Sequence, residues 1–276
     1  MDLNYDFYKK SADYIKERTE GFTPEIGLIL GSGLGGTVDR IEDKVFIPYS
    51  EIPNFLVSTA PGHAGELVFG TLEGRKVVCM SGRFHYYEGY EFEQLTIPVR
   101  VMKLLGINKL IVTNAAGAIN TSYKVGDIMI MKDHIFFSGH SPLRGINDPE
   151  FGERFFDITR VYDPEFRRIA LECAKDSPLD VHEGVYFYFQ GPQFESPAEI
   201  RAARILGGDC AGMSTVTEVL TAAHCGLPVL GISLMTNMGA GILDKPLSGE
   251  EVNEVGRKTA PLFQEYFLHV VRELPK

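Results

Sequence analysis

Short apolar runs rich in β-branched residues recur along this 276-residue chain, and stretches with helical periodicity separate most of them. This alternation is typical of α/β folds. One pair of runs, residues 67–70 and 76–80, is joined only by a short Glu73-Gly74 turn, which predicts a hairpin. The pattern therefore predicts an α/β fold with a mixed sheet. The other predicted strands are 26–30, 109–113, 127–131, 185–189 and 229–234, and the predicted helices are 7–18, 92–105, 163–175, 197–206, 215–225 and 250–273.

The composition indicates one globular unit. The sequence has 44% apolar and 23% charged residues, no internal repeat and no Pro/Ser-rich linker, so we expect residues 1–276 to form a single domain. The net charge of -10 repels phosphate backbones and anionic lipid, which disfavours nucleic acid and membranes as partners.

Cysteine spacing and the first residues bear on the compartment. The four cysteines form no CxxC pair, which predicts free thiols in a reducing compartment. The sequence begins MDLNYDFYKK, without the apolar segment of a secretory signal, so a cytoplasmic location is expected. The longest uncharged stretch, 219–243, is broken by glycines and Pro228, which favours a buried helix, turn and strand over a membrane span.

The segment GSGLGG at 31–36 directly follows a predicted strand and matches the GxGxxG pattern of dinucleotide-binding folds. Those folds also need a second strand that ends on an acidic residue, but residues 48–54 read PYSEIPN, which is not strand-like. The alternatives are a glycine-rich turn whose backbone N–H groups, with the Ser32 hydroxyl, hold an anion, or a tight turn that binds nothing.

The segment SGRFHYYEGY at 81–90 also follows a strand, and it places Arg83, His85 and Tyr87 at alternate positions. In extended backbone these side chains point the same way. Arginine and histidine suit phosphate, and tyrosine offers a flat wall to a sugar or a ring. The alternative is a solvated polar strand end.

Two further turns offer anion donors. In TNAAGAIN at 113–120 the small residues let a ligand approach the backbone, and the N–H of Ala115 or of Ala116 is available to donate to an oxyanion. In GMSTVTEV at 212–219, Met213 and Ser214 precede a helix, where donors favour an anion or sugar hydroxyls. Ser214 as a simple helix N-cap is the alternative.

Two more segments carry side chains that suit the binding of a heterocycle. GPQFESPAE at 191–199 places Phe194 for stacking and Glu195 for accepting from ring N–H groups, while the alternative is that Glu195 only favours the helix dipole. Asn237 ends an apolar strand, where its amide offers both a donor and an acceptor to a base, or simply occupies a turn.

Metal and covalent chemistry find little support in the sequence. It contains no HExxH and no Cys/His zinc spacing, and GMSTV lacks the last glycine of a nucleophile elbow. We therefore expect no metal site and no covalent nucleophile.

Together, GSGLGG, PGHAGELVFG, GRFHYYEGY, TNAAGAIN, GDIMIMKDHI, LRGIND, GPQFES, GMSTVTEV and SLMTN resemble the purine nucleoside / methylthioadenosine phosphorylase family. The similarity is greatest to its trimeric, 6-oxopurine-preferring type, and it runs from about residue 20 to about residue 270. It implies a mixed sheet or distorted barrel flanked by helices. It also implies phosphorolysis of inosine or guanosine through an oxocarbenium-like state, with inorganic phosphate as co-substrate and with no cofactor or metal.

The resemblance further implies a role for each matching residue. Asn237, Glu195 and His85 would be catalytic; Ser32, His63, Arg83, His85, Ala115 and Ser214 would hold phosphate, with Tyr186 nearby; Tyr87, Met213 and a neighbouring subunit's Phe155 would face the ribose; and Phe194, Glu195 and Asn237 would hold the purine.

One position departs from the family pattern, because Gly249 stands where a histidine usually reaches the sugar 5′-hydroxyl. This predicts weaker 5′-hydroxyl binding and more tolerance of 5′-modified sugars. The alternatives within the family are methylthioadenosine and xanthosine phosphorylases. Outside the family they are a non-catalytic nucleoside binder and an NAD-dependent oxidoreductase.

Overall fold

The computed structural model describes residues 3–31, 35–59, 64–137 and 140–276. Within them, nine strands form one mixed sheet flanked by six α-helices. The strands are β1 Ile26–Ile29, β2 Glu42–Pro48, β3 Glu66–Leu72, β4 Arg75–Ser81, β5 Lys109–Ala118, β6 Ile128–Ile135, β7 Val181–Tyr188, β8 Cys210–Gly212 and β9 Val229–Met238. The helices are α1 Tyr5–Arg18, α2 Ile97–Leu105, α3 Pro164–Cys173, α4 Pro197–Ile205, α5 Val216–His224 and α6 Gly249–Glu273.

The sheet closes on itself at one end. Its order is β2-β3-β4-β1-β5-β8-β7-β6-β9, and β9 pairs with β5 as well as with β6. Strands β5, β8, β7, β6 and β9 therefore form a small closed barrel, and β2, β3, β4 and β1 extend from its wall. β1 runs parallel to both β4 and β5, and β5 runs parallel to β9, so four carboxyl ends lie at one edge.

The helices cover two faces of the sheet because the central strands are apolar on both sides. All ten residues of β9 and all four of β1 are buried, as expected for parallel strands between helical layers. One core cluster joins the sheet to α1, α2 and α5, and the other joins it to α3 and α6. Among the residues that the structure describes, no helix is both long and apolar enough to cross a bilayer.

The predicted α/β class and mixed sheet are confirmed, but two strands were missed. β2 begins with three exposed or half-buried charged residues, and among the described strands it pairs with β3 alone, so it carries the charged residues that are typical of edge strands. β8 has only three residues and gives no periodic signal. β5 was predicted to end at Thr113 but continues to Ala118, because small residues there still pair with β9.

Candidate functional site

One pocket opens at the edge where the carboxyl ends of β1, β4, β5 and β9 meet, the usual ligand position in such sheets. The volume of the pocket, including its open mouth, is about 670 Å³, which is within the range of small-molecule sites. The lining residues are Gly31, Arg83, His85, Tyr87, Asn114, Ala115, Ala116, Gly117, Phe194, Glu195, Ala211, Gly212, Met213, Ser214, Thr236, Asn237 and Val252. Nine of the residues predicted from sequence are therefore in one cavity: Arg83, His85, Tyr87, Ala115, Phe194, Glu195, Met213, Ser214 and Asn237.

Arg83 supplies the pocket's cationic group, and the chain holds it on several sides. Its Nη1 donates to Ser214 Oγ at 2.8 Å and to Thr215 Oγ1 at 2.9 Å. Its Nε lies 3.4 Å from a carboxylate oxygen of Glu218, and both side chains are almost fully buried. A buried guanidinium held in this way is oriented before any anion arrives, which lowers the entropy lost on binding.

His85 is fixed by the carboxylate of Glu88. One Glu88 oxygen accepts from the His85 backbone N–H at 2.8 Å and lies 2.9 Å from the ring Nδ1. The other accepts from the N–H and the hydroxyl of Thr59. Burial alone would raise the pKa of Glu88, but the bonds from His85 and Thr59 outweigh it and lower the pKa to about 2.

Tyr87 stacks on the His85 ring with centroids 4.6 Å apart and an interplanar angle of 15°. Burial, followed by the nearby Glu88 carboxylate, raises the pKa of Tyr87 to about 12. The phenol therefore stays protonated at neutral pH and presents an uncharged wall and one hydroxyl to the pocket.

Gly31 is required where β1 meets β5. A Cβ at this position would lie 2.5 Å from the Asn114 Cα, a clash with backbone that only glycine avoids. Its N–H donates to the Thr113 hydroxyl at 2.9 Å and so is not one of the anion donors that the glycine-rich turn was expected to offer. The predicted phosphate ligands Ser32 and His63 lie outside the described residues.

Asn237 reaches the pocket from β9 through a bulge. The register with β5 shifts between Ala116 and Gly117, which leaves Thr236 without a strand partner. The Asn237 amide nitrogen donates to the Met238 carbonyl at 3.1 Å, and its oxygen accepts from the Thr236 hydroxyl at 3.1 Å. These bonds fix the amide plane and use only one of its two N–H groups and one of its two lone pairs.

Glu195 and Phe194 line the pocket just before α4. Helix α4 is capped by Ser196 and Glu199, each of which bonds the other's backbone N–H, so Glu195 is not needed as the cap. Phe194 is 39% exposed, as expected of an open stacking face. Burial raises the pKa of Glu195 above its ordinary value.

Tyr186 holds the segment that contains Met213 and Ser214, because its hydroxyl accepts from the Ser214 N–H at 3.2 Å. Ser214 is not the N-cap of α5, because that position belongs to Thr215. Its hydroxyl instead accepts from Arg83 and lines the pocket, so the helix-capping alternative is wrong.

Two predicted positions lie away from the pocket lining. Phe155 is 88% exposed on the long loop before α3 and makes no part of the cavity within this chain. Gly249 begins α6, and a Cβ there would meet open space. Val252, three residues later and so on the same face of the helix, does line the pocket.

Sequence reasoning missed several residues that build the site. Asn114 and Thr236 line the cavity, and Glu88, Thr215 and Glu218 hold the residues that do. Asn114 lies in the quoted TNAAGAIN segment, one residue before Ala115, and its polar side chain directly after the predicted strand 109–113 was the signal that could have found it. Glu218 gives no local signal because its partner, Arg83, is distant in sequence.

Potential metal ligands lie outside this pocket. Among the described residues, only Glu91, Glu93 and His140 bring three candidate ligand atoms within 4.8 Å of one another. The guanidinium of Arg144 lies 3.5 Å from Glu93 and competes with any cation there.

Comparison with known proteins gives consistent matches. The family model described as "Phosphorylase superfamily" matches residues 25–272. The chain is 52% identical over 274 residues to purine nucleoside phosphorylase 1 of Geobacillus stearothermophilus, covering 99% of this chain and all of that protein. It is 46% identical over 280 residues to purine nucleoside phosphorylase of Bos taurus, covering 98% and 96%. The crystal structure of Schistosoma mansoni purine nucleoside phosphorylase with inosine superposes with a TM-score of 0.94, at 44% identity and 99% and 98% coverage.

Proposed function

The chain belongs to the Phosphorylase superfamily, and from this premise we propose that it is a purine nucleoside phosphorylase. The observation that carries the proposal is the arrangement of one pocket, in which the anion donors Arg83, His85 and Ser214 lie beside the base-binding set Phe194, Glu195 and Asn237. A phosphate and a purine nucleoside bound together need both groups. A simple nucleoside binder does not need the anion donors. A dinucleotide fold needs a second strand that ends on an acidic residue, and residues 49–51 form a short 3-10 turn instead.

The reaction is reversible phosphorolysis. A phosphate oxygen forms a bond to C1′ of the ribose as the bond from C1′ to N9 breaks, and the electron pair of that bond moves into the purine. The sugar passes through an oxocarbenium-like state with the anion on one face. Arg83, His85, Ser214 and the Ala115 N–H hold phosphate in this proposal, together with Ser32 and His63. Asn237 stabilises the charge that develops on the purine.

Base selection rests on Glu195 and Asn237. An ionised Glu195 accepts from N1–H of a 6-oxopurine, and the Asn237 amide donates to the 6-oxo group or to N7. Adenine presents an acceptor at N1 and an amine at C6, which leaves buried polar groups unpaired at about 1 to 3 kcal/mol each. We therefore expect inosine and guanosine to be preferred.

The sugar site and the assembly are linked in the proposal. Tyr87 and Met213 face the ribose from within the chain, and the strongly exposed Phe155 ring supports a role in closing the pocket of a neighbouring copy. The proposed assembly is a homotrimer. Inorganic phosphate is the co-substrate and no further cofactor is proposed. Four buried, unpaired thiols favour a reducing compartment, in keeping with the cytoplasm.

The test is base release from inosine, guanosine, adenosine and 5′-methylthioadenosine, each with and without inorganic phosphate. The expected result is release of hypoxanthine and guanine only when phosphate is present, with ribose 1-phosphate as the second product. Release without phosphate would indicate a hydrolase. Absence of any release, under conditions where nucleoside binds, would leave the binding-protein alternative.

One observation favours a second candidate within the family. The open space around Gly249, one turn before the pocket residue Val252, leaves room next to the sugar end of the site. A 5′-modified purine nucleoside would use this room. Preference for 5′-methylthioadenosine over inosine in the same assay would establish that candidate instead.

A further inference from the structure

Thr215 adopts a backbone conformation that threonine rarely takes. Its φ is 75° and its ψ is -48°, and the N–H of Val216 donates to the carbonyl of Ser214 at 2.8 Å across it. This is a γ-turn of the rare kind with positive φ. A β-branched residue is strained there, whereas glycine is not. Strain of this kind persists only where the surrounding structure imposes it, and it concentrates at functional sites.

The turn directs the Thr215 side chain inward, where its hydroxyl is shared. Oγ1 accepts from Arg83 Nη1 at 2.9 Å and from Asn114 Nδ2 at 3.0 Å, and it lies 3.2 Å from Ser214 Oγ. Thr215 is fully buried, so no solvent replaces these bonds.

These three partners belong to three separate parts of the fold. Arg83 follows β4, Asn114 lies in β5 directly before Ala115, and Ser214 ends the segment that leads into α5. Each segment carries one of the donors that the proposed function assigns to phosphate. A single hydroxyl therefore ties together the segments that must be in register for one anion to be held.

We infer that Thr215 is a positioning residue for the phosphate site: its strained turn places one hydroxyl where it aligns Arg83, the Asn114–Ala115 segment and Ser214. This inference rests on the proposed function. Thr215 itself does not line the pocket and makes no contact with substrate in this account. A glycine would relieve the turn but would supply no acceptor, which explains why a strained residue is kept at this point.

The test compares variants that distinguish the effect of the Thr215 hydroxyl from the effect of its branched side-chain shape. Thr215→Ser keeps the hydroxyl, and Thr215→Val keeps the branched shape without it. Thr221→Val is the matched control, because Thr221 is also fully buried, lies in the helix α5 that follows Thr215, and donates to the Thr217 carbonyl at 2.7 Å, away from the pocket. Initial rates are measured with phosphate varied at saturating inosine, and then with inosine varied at saturating phosphate.

Thr215→Val should raise the KM for phosphate about tenfold to a hundredfold, the effect of losing a hydrogen bond to a charged group. The KM for inosine should change less than about threefold. Thr215→Ser should stay within about threefold of the parent for both substrates, and Thr221→Val within about twofold. An unchanged phosphate KM in Thr215→Val, or equal losses for both substrates, would overturn the inference.

Two further measurements keep the outcomes separate. Should Thr215→Val not fold, Thr215→Gly removes the hydroxyl in a residue that tolerates positive φ, and the same rise in phosphate KM is expected. Phosphate-induced stabilisation against heat reports on anion binding without turnover. A parent enzyme that phosphate stabilises but that releases no base contradicts the proposed function alone, while stabilisation that Thr215→Val retains in full contradicts the inference about Thr215.

Discussion

Replacing Glu88 by glutamine removes the charge that fixes His85. Within the part of the chain that the structure describes, the Glu88 carboxylate accepts at least four hydrogen bonds, including two from His85 and two from Thr59. Burial alone would raise its pKa, but the bonds from His85 and Thr59 lower it from the ordinary 4.5 to about 2. A fall of this size corresponds to about 3 kcal/mol of folding free energy at neutral pH. The Glu88 side chain is only 2% exposed, but its partner Thr59 is exposed and solvent there screens the charge, so we expect about 2 kcal/mol.

This free energy converts to a measurable change in unfolding temperature. At about 2.1 cal/mol/K per residue, a chain of 276 residues has an unfolding entropy of about 0.6 kcal/mol/K. Glu88→Gln should therefore lower the unfolding temperature by about 3 °C at pH 7. The matched control is Glu51→Gln, since Glu51 pairs with Arg18 at 3.3 Å while 46% exposed. Such a pair contributes at most about 0.5 kcal/mol, so a change below about 1 °C is expected.

The pH dependence gives the sharper test. A carboxyl with a lowered pKa stabilises the folded state fully above the unfolded-state pKa, near 4.5, and loses that contribution as the pH falls towards about 2. The gap between the parent and Glu88→Gln should therefore be constant from pH 7 to pH 5 and narrow below pH 4.5. Thermal unfolding at pH 7, 6, 5, 4 and 3 measures it. Equal stability of both proteins at pH 7, or a gap that persists unchanged to pH 3, would refute the reasoning.

Two further predictions concern the substrate. Burial raises the pKa of Glu195, and its ionised form accepts a stronger hydrogen bond from purine N1–H than its protonated form does. The KM for inosine should therefore rise as the pH falls, starting at a higher pH than for an ordinary glutamate, and Glu195→Gln should flatten this profile. A parent profile that is flat from pH 8 to pH 5 would contradict it. Gly249→His, placed in open space at the start of α6, should lower the KM for inosine about fivefold, the effect of roughly 1 kcal/mol from one neutral hydrogen bond. No improvement with inosine in steady-state kinetics would remove Gly249 from the account of the sugar site.

The sequence predicts the site best where a polar motif directly follows an apolar strand. Arg83 and His85 come after β4 and Asn237 ends β9, and parallel strands bring such ends to one edge. Local order thus indicates which side chains meet. The alternatives left open at Ser214 and Glu195 needed the structure, because both residues stand beside a helix start. The sequence alone does not show which residue caps the helix or which side chain lines the pocket.

The sequence predicts poorly which residues hold the pocket-lining side chains in place. Glu218 is 135 positions after Arg83, and Thr215 is 132 positions after it. Neither spacing has a local period, and a threonine at positive φ runs against the backbone preference on which sequence reasoning depends. The short strand β8 is not predicted for a related reason, since its three residues pair only because β5 and β7 are already in place.

The closure of the barrel explains why the pocket-lining residues can be predicted from sequence while the residues that hold them in place cannot. β5 pairs with β9 over nearly its whole length, and the bulge in that pairing turns Asn237 towards the pocket. The hydroxyl of Thr215 accepts from Asn114 in β5 and from Arg83 after β4. The proposed anion donors and the proposed base-binding amide of Asn237 are therefore all positioned relative to β5. A pocket assembled in this way forms only when the sheet has closed, because no two neighbouring segments of the chain contain it. The local sequence therefore predicts which side chains line the pocket. Their positions relative to one another depend on long-range strand pairing, which the local sequence does not show.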